Sequence, residues 1–102
     1  MRIDEISNQN KFILSLHNIK FEFKSRFKII ESDFILFYQS KNTYALHDLL
    51  EKEINLEIEK VNAFLSNLDI LYNDLETRQS INEIRGIRSS LLRMSNQIMK
   101  MK

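Results

Sequence analysis

The chain has 102 residues, no proline, no cysteine and one glycine, Gly86. That length suits one small domain with one core over residues 1–102; the composition excludes disulfides and thiolate metal sites and argues against a turn-rich β fold. Net charge is only +1, but it is unevenly distributed. Residues 1–42 carry seven Lys/Arg against five Asp/Glu, residues 43–77 two against eight, and residues 78–102 six against one, so the segments sum to +2, −6 and +5.

Residues 3–38 predict a first helix. Ile6, Ile13, Phe27 and Phe34 share one heptad position, with Lys20 the one polar interruption. Leu16, Phe23, Ile30 and Phe37 share another. A competing signal is local: Ile19-Lys20-Phe21-Glu22-Phe23-Lys24 alternates like a strand, so a short hairpin near 19–30 is the alternative. Ser32-Asp33 is a further point where the helix could break. Phe12, Phe21, Ile29, Ile35 and Leu36 fall outside the seam, which makes this helix apolar on more than one side. Lys20 is expected to snorkel to a wet edge.

After a polar link at 39–43, in which Asn42 or Thr43 can cap, a second helix is predicted over 44–77. Ile54, Val61, Leu68 and Leu75, with Ile58, Leu65 and Tyr72, form a coiled-coil-like seam, widened by Leu50, Phe64 and Leu71. A second stripe, Leu49, Leu56, Ala63 and Ile70, points nearly the opposite way. A helix with one wet face has no need of it, so coverage from both sides is expected. Ser80 and Glu83 form a capping box, and a third helix follows over 81–101 with Ile84, Leu91 and Ile98 alternating with Ile87, Met94 and Met101. Gly86 inside it costs about 1 kcal/mol relative to alanine.

The expected fold is therefore all-α: an elongated antiparallel three-helix bundle, or helical hairpin with a shorter third helix. The first two helices have about 33–36 residues each, about 50 Å, and the third about 21, about 32 Å. In an up-down-up chain the third then leaves one end as two bare helices, lined by Phe27, Phe34, Ile35, Leu36, Leu49 and Leu56. Two antiparallel helices bury little on their own. A partner helix or a second copy is expected to complete that end, the alternative being that the first helix bends near Ser32 and closes it itself.

Catalysis needs converging titratable groups, and no nucleophile elbow, phosphate loop or zinc-binding His-Glu-x-x-His is present. His17 and His47 read as ordinary surface or boundary residues. His47 and Glu51 share a helix face, but the Glu-x-x-His ligand pattern is absent, so no enzyme, metal or cofactor is expected. Arg78, Arg85, Arg88, Arg93 and Lys100 make the third helix basic. They are expected to complement acids of the middle helix such as Asp74 and Glu76, with nucleic-acid contact as the alternative. No apolar run reaches the ~20 residues of a membrane helix and no secretory leader is visible, which predicts a cytoplasmic protein. The function expected is a non-catalytic interaction module, a small adaptor or chaperone-like subunit.

Overall fold

The computed structural model describes residues 3–40, 44–68 and 74–101. Three helices account for them: α1 (Ile3–Ser40), α2 (Tyr44–Asn67) and α3 (Leu75–Lys100). Among the described residues there is no strand. α1 runs unbroken through 19–30 and through Ser32 and Asp33. The apparent alternation is a coincidence of spacing. Phe23 is buried and Ile19, four residues before it, flanks the core, whereas Phe21 is 70% exposed. Only a helix puts positions 19 and 23 together and turns 21 away.

The bundle is up-down-up. Arg26 meets Glu57 and Phe23 meets Phe64, so α1 and α2 are antiparallel. Ser95 meets Asn55 and Ile98 meets His47, so α2 and α3 are antiparallel as well. Lys20 reaches Glu83 and, further along both helices, Phe34 and Tyr38 share a hollow with Gln97, so α3 runs parallel to α1. One continuous core joins heptad positions from each helix: Leu16, Phe23, Ile30 and Phe37 of α1, Ile54 and Val61 of α2, and Ile84, Leu91 and Ile98 of α3. At ~1.5 Å per residue α1 is about 57 Å long, which accounts for the longest dimension of the molecule, 59 Å.

The α2–α3 boundary is not where the sequence places it. α2 ends at Asn67 rather than near 77, and α3 begins at Leu75 rather than 81. Asp74 supplies the N-cap. Its Oδ2 accepts from the Thr77 backbone N–H at 3.0 Å, and its Oδ1 accepts from the Thr77 hydroxyl at 2.6 Å. The Ser80–Glu83 capping box does not form. Ser80 is buried inside α3 and Glu83 is engaged by two lysines of α1. Asp74 captures the helix start because Thr77 answers it with two donors, and because the earlier start buries Thr77, Ser80 and Ile81. Leu75, expected in the α2 seam, is the exposed first residue of α3. The Asn42 or Thr43 cap, the stripe member Ile70 and the seam residues Leu71 and Tyr72 lie outside the described residues.

This shift corrects the expectation of a short third helix. α3 has 26 residues and α2 has 24, so α3 spans the length of α2. Near the α2 start, His47 lies against Ile98 of α3 and Phe37 of α1. The end expected to consist of two bare helices is closed by the chain's own third helix.

Candidate interaction groove

What stays open is a lateral face. Between α1 and α2, Asp33, Leu36, Phe37, Leu46, Leu49, Leu50 and Glu53 line a groove of about 510 Å³. A smaller depression of about 180 Å³ shares Glu53 and continues past Ile29, Leu56 and Lys60. Neither has an α3 residue in its wall. The helical repeat explains the alignment. Ile29, Asp33 and Leu36 follow one another by four and three on α1, and Leu46, Leu49, Glu53 and Leu56 by three, four and three on α2. Leu36 and Leu49 are 63% and 64% exposed.

The residues singled out from sequence divide three ways. Leu36 and Leu49 come together in the groove, and Leu56 lies in its continuation. Phe34 and Ile35 line a separate hollow on the α1–α3 side with Tyr38, Gln39 and Gln97. Phe27 and Phe34 are partly buried against the core, so they serve the fold. Sequence reasoning missed Leu46 as a wall residue. Its signal was present, three residues before Leu49 on the second stripe. That stripe is not covered on both sides by this chain: Leu49, Leu56 and Ala63 are all exposed.

The groove is acidic at its middle. Burial pushes the Glu53 carboxyl above its ordinary range, and the neighbouring charges of Asp33 and then Glu57 push it further the same way. Arg26 is committed elsewhere. It donates to Glu57 at 2.7 Å and lies over the Phe23 ring at 4.9 Å.

The basic residues of α3 do not behave as expected. Among the described residues Arg78, Arg85, Arg88, Arg93 and Lys100 form no ion pair with the acids of α2 or with Asp74 and Glu76. Arg93 donates to the Ser90 hydroxyl of its own helix. Lys20 does reach a wet edge, pairing with Glu83 at 2.9 Å. The two lysines hold the Glu83 carboxyl below its ordinary range, Lys20 more than Lys24. His17 lies beside a polar cleft with Lys20, Gln79 and Glu83. His47, expected at the surface or boundary, is 5% exposed. Among the described residues no helix is long and apolar enough to cross a membrane. Comparison with family models, characterised proteins and solved structures finds no match for this chain.

Proposed function

We propose that this chain is a non-catalytic protein-interaction module, an adaptor or chaperone-like subunit, that receives an amphipathic helix in the α1–α2 groove. The observation that carries this reading is the pair of exposed leucines, Leu36 and Leu49, facing one groove with Leu46 at its rim. An apolar helix face laid there gains about 25 cal/mol for each Å² of apolar area removed from water. Leu36, Leu46, Leu49 and Leu56 are the anchors.

Charge selects the occupant. Asp33 and Glu53 both line the groove, and after burial the charge of Asp33 is the next cause that pushes the Glu53 carboxyl up. A lysine or arginine on the flank of the incoming helix relieves that repulsion. A second copy paired face to face about Glu53 sets like charges opposite each other, because a two-fold interface meets its own surface. The partner is therefore a different helix with a basic flank.

The test uses the full chain and two designed peptides, one a leucine-faced helix flanked by lysines and the other flanked by glutamates. Chemical-shift mapping is expected to place the lysine peptide on Leu36, Leu46 and Leu49, with binding lost in Leu49→Glu. Concentration-dependent dimerisation that masks the same leucines would replace the foreign helix by a second copy. Equal binding of both peptides, or binding insensitive to Leu49→Glu, overturns the reading.

A second reading rests on the cations of α3, which form no ion pair among the described residues. Arg78, Arg85, Arg93 and Lys100 are all exposed, and such a face can neutralise nucleic-acid phosphates. This regulator role predicts binding to generic duplex DNA or RNA that weakens steeply with salt. No binding at low salt removes it.

A further inference from the structure

His47 is held from two sides. Its ring stands edge-on to Phe37 with centroids 5.8 Å apart, and Nε2 lies 2.8 Å from the carbonyl oxygen of Ile98. A carbonyl oxygen only accepts, so Nε2 carries the proton. The lone pair of the neutral ring is then on Nδ1. Nδ1 is aimed at two carboxylates, 3.4 Å from Asp48 Oδ1 and 3.6 Å from Glu51 Oε2. Ionised carboxylates are acceptors too. Three lone-pair atoms therefore converge on one point, a donor set that a metal ion can share.

A proton on Nδ1 and a shared metal ion call for different spacings. A charge-assisted N–H···O bond is about 2.7–2.9 Å long, shorter than both separations here. Ligands of a tetrahedral ion with bonds of about 2.0–2.1 Å stand about 3.3–3.4 Å apart, close to both. The three ligand atoms lie within 4.8 Å of one another. The Nε2–H bond to a backbone carbonyl is the outer contact that fixes the ring of a metal-bound histidine.

We propose that His47 Nδ1, Asp48 and Glu51 bind one divalent transition-metal ion of the zinc type. Three protein ligands leave a fourth position for water. One imidazole and two carboxylates suit Zn²⁺ far better than soft Cu(I), and three ligands are too few for Ca²⁺, which takes about six to eight oxygens. Asp48 is exposed, so the ion enters from solvent against a ring already locked. The Glu-x-x-His pattern sought in the sequence misses this set, because its ligands are one histidine, its neighbour and the residue one turn on. This site is separate from the groove and stands or falls without it.

The full chain is titrated with Co²⁺ and then Zn²⁺, with Asp48→Asn and Glu51→Gln alongside. Expected are the intense visible bands of tetrahedral Co²⁺ at one equivalent, their displacement by Zn²⁺, and at least about tenfold weaker affinity in Asp48→Asn. Circular dichroism checks that each variant is still helical. Imidazole nitrogen NMR on the unaltered chain supplies a readout free of folding effects: Zn²⁺ shifts His47 Nδ1 while Nε2 keeps its proton. Absent bands, an affinity that Asp48→Asn leaves unchanged, or a His47 Nδ1 that stays protonated in excess Zn²⁺ overturns the proposal.

Discussion

Arg26 donates to Glu57 across the α1–α2 interface at 2.7 Å, and the accepting carboxylate is 3% exposed. A buried carboxylate depends on its partner, since removing the cation leaves a charge without solvation. The Arg26 head is itself partly open to solvent, which moderates the effect. Arg26→Ala is expected to cost about 2–3 kcal/mol in urea unfolding. The double variant Arg26→Met, Glu57→Leu is expected to recover most of that, because no buried charge remains. A double variant less stable than Arg26→Ala contradicts this account.

Gly86 sits in the middle of α3, and apart from its chain neighbours and its own helix backbone no atom lies within 4 Å of the position a Cβ would take. Neither a close helix approach nor an unusual backbone requires glycine there. Gly86→Ala is expected to raise stability by about 0.5–1 kcal/mol, through helix propensity and a less flexible unfolded chain. A thermal melt that moves down instead points to a role for this position that lies outside the bundle.

The start of α3 separates two capping schemes. If Asp74 is the cap, Asp74→Ala lowers the melting temperature and frays the helix from 75 onward. Ser80→Ala is expected to be neutral or mildly stabilising, because the buried Ser80 hydroxyl has no hydrogen-bond partner. The capping box anticipated from sequence requires the reverse order of effects. Hydrogen exchange at Thr77 to Ser80 in the unaltered chain resolves the same question, since these amides find acceptors only if Asp74 caps a helix that begins at Leu75.

Acid sensitivity follows from two carboxylates. Thr77 holds Asp74 below its ordinary range, through its hydroxyl and then its backbone N–H, and Lys20 and then Lys24 do the same for Glu83. A group whose folded pKa is depressed contributes stability above its unfolded pKa and loses it as pH falls through the folded value. The stability difference between the unaltered chain and Glu83→Gln is therefore expected to be largest near neutrality. It should shrink on acidification through and below the ordinary carboxylate range. A difference that stays constant with pH would show that Glu83 acts by packing and not by charge.

The helical class was legible because the seams are long. Eight apolar residues kept heptad phase along α1, which outweighed six alternating residues around Phe21. The α2–α3 boundary was not legible, for a physical reason. Ser80 and Glu83 satisfy the local capping pattern as well as Asp74 and Thr77 do. What decides between them is tertiary: Ser80 is buried by the bundle and Glu83 is claimed by Lys20 and Lys24 of α1, 63 and 59 residues away in sequence. That six-residue displacement turned an open end into a closed one. The second stripe on α2 was readable, and so was the isolation of Leu36 from the main seam. Their meeting in one groove depends on the rotation of α1 against α2, which periodicity within a single helix does not contain.

Glu53 ties stability to the groove. Its carboxyl is pushed up by burial first and by Asp33 and Glu57 after it. A carboxylate with a raised folded pKa opposes folding: stability falls as pH rises from the unfolded to the folded value, and the penalty is complete at neutrality. Glu53→Gln is therefore expected to stabilise the free protein at neutral pH, and to lose that advantage in acid. The same substitution removes half of the acidic pair that a lysine-flanked helix would meet, so its affinity for such a helix should fall, with dissociation faster. Leu49→Ala should weaken binding with little change in stability, since its side chain is exposed in the free chain. The two variants then separate charge from apolar contact: the first makes binding less dependent on salt, and the second leaves the salt dependence as it was. A Glu53→Gln protein that is both more stable and equally tight for the lysine peptide would mean that the acidic pair does not select the partner.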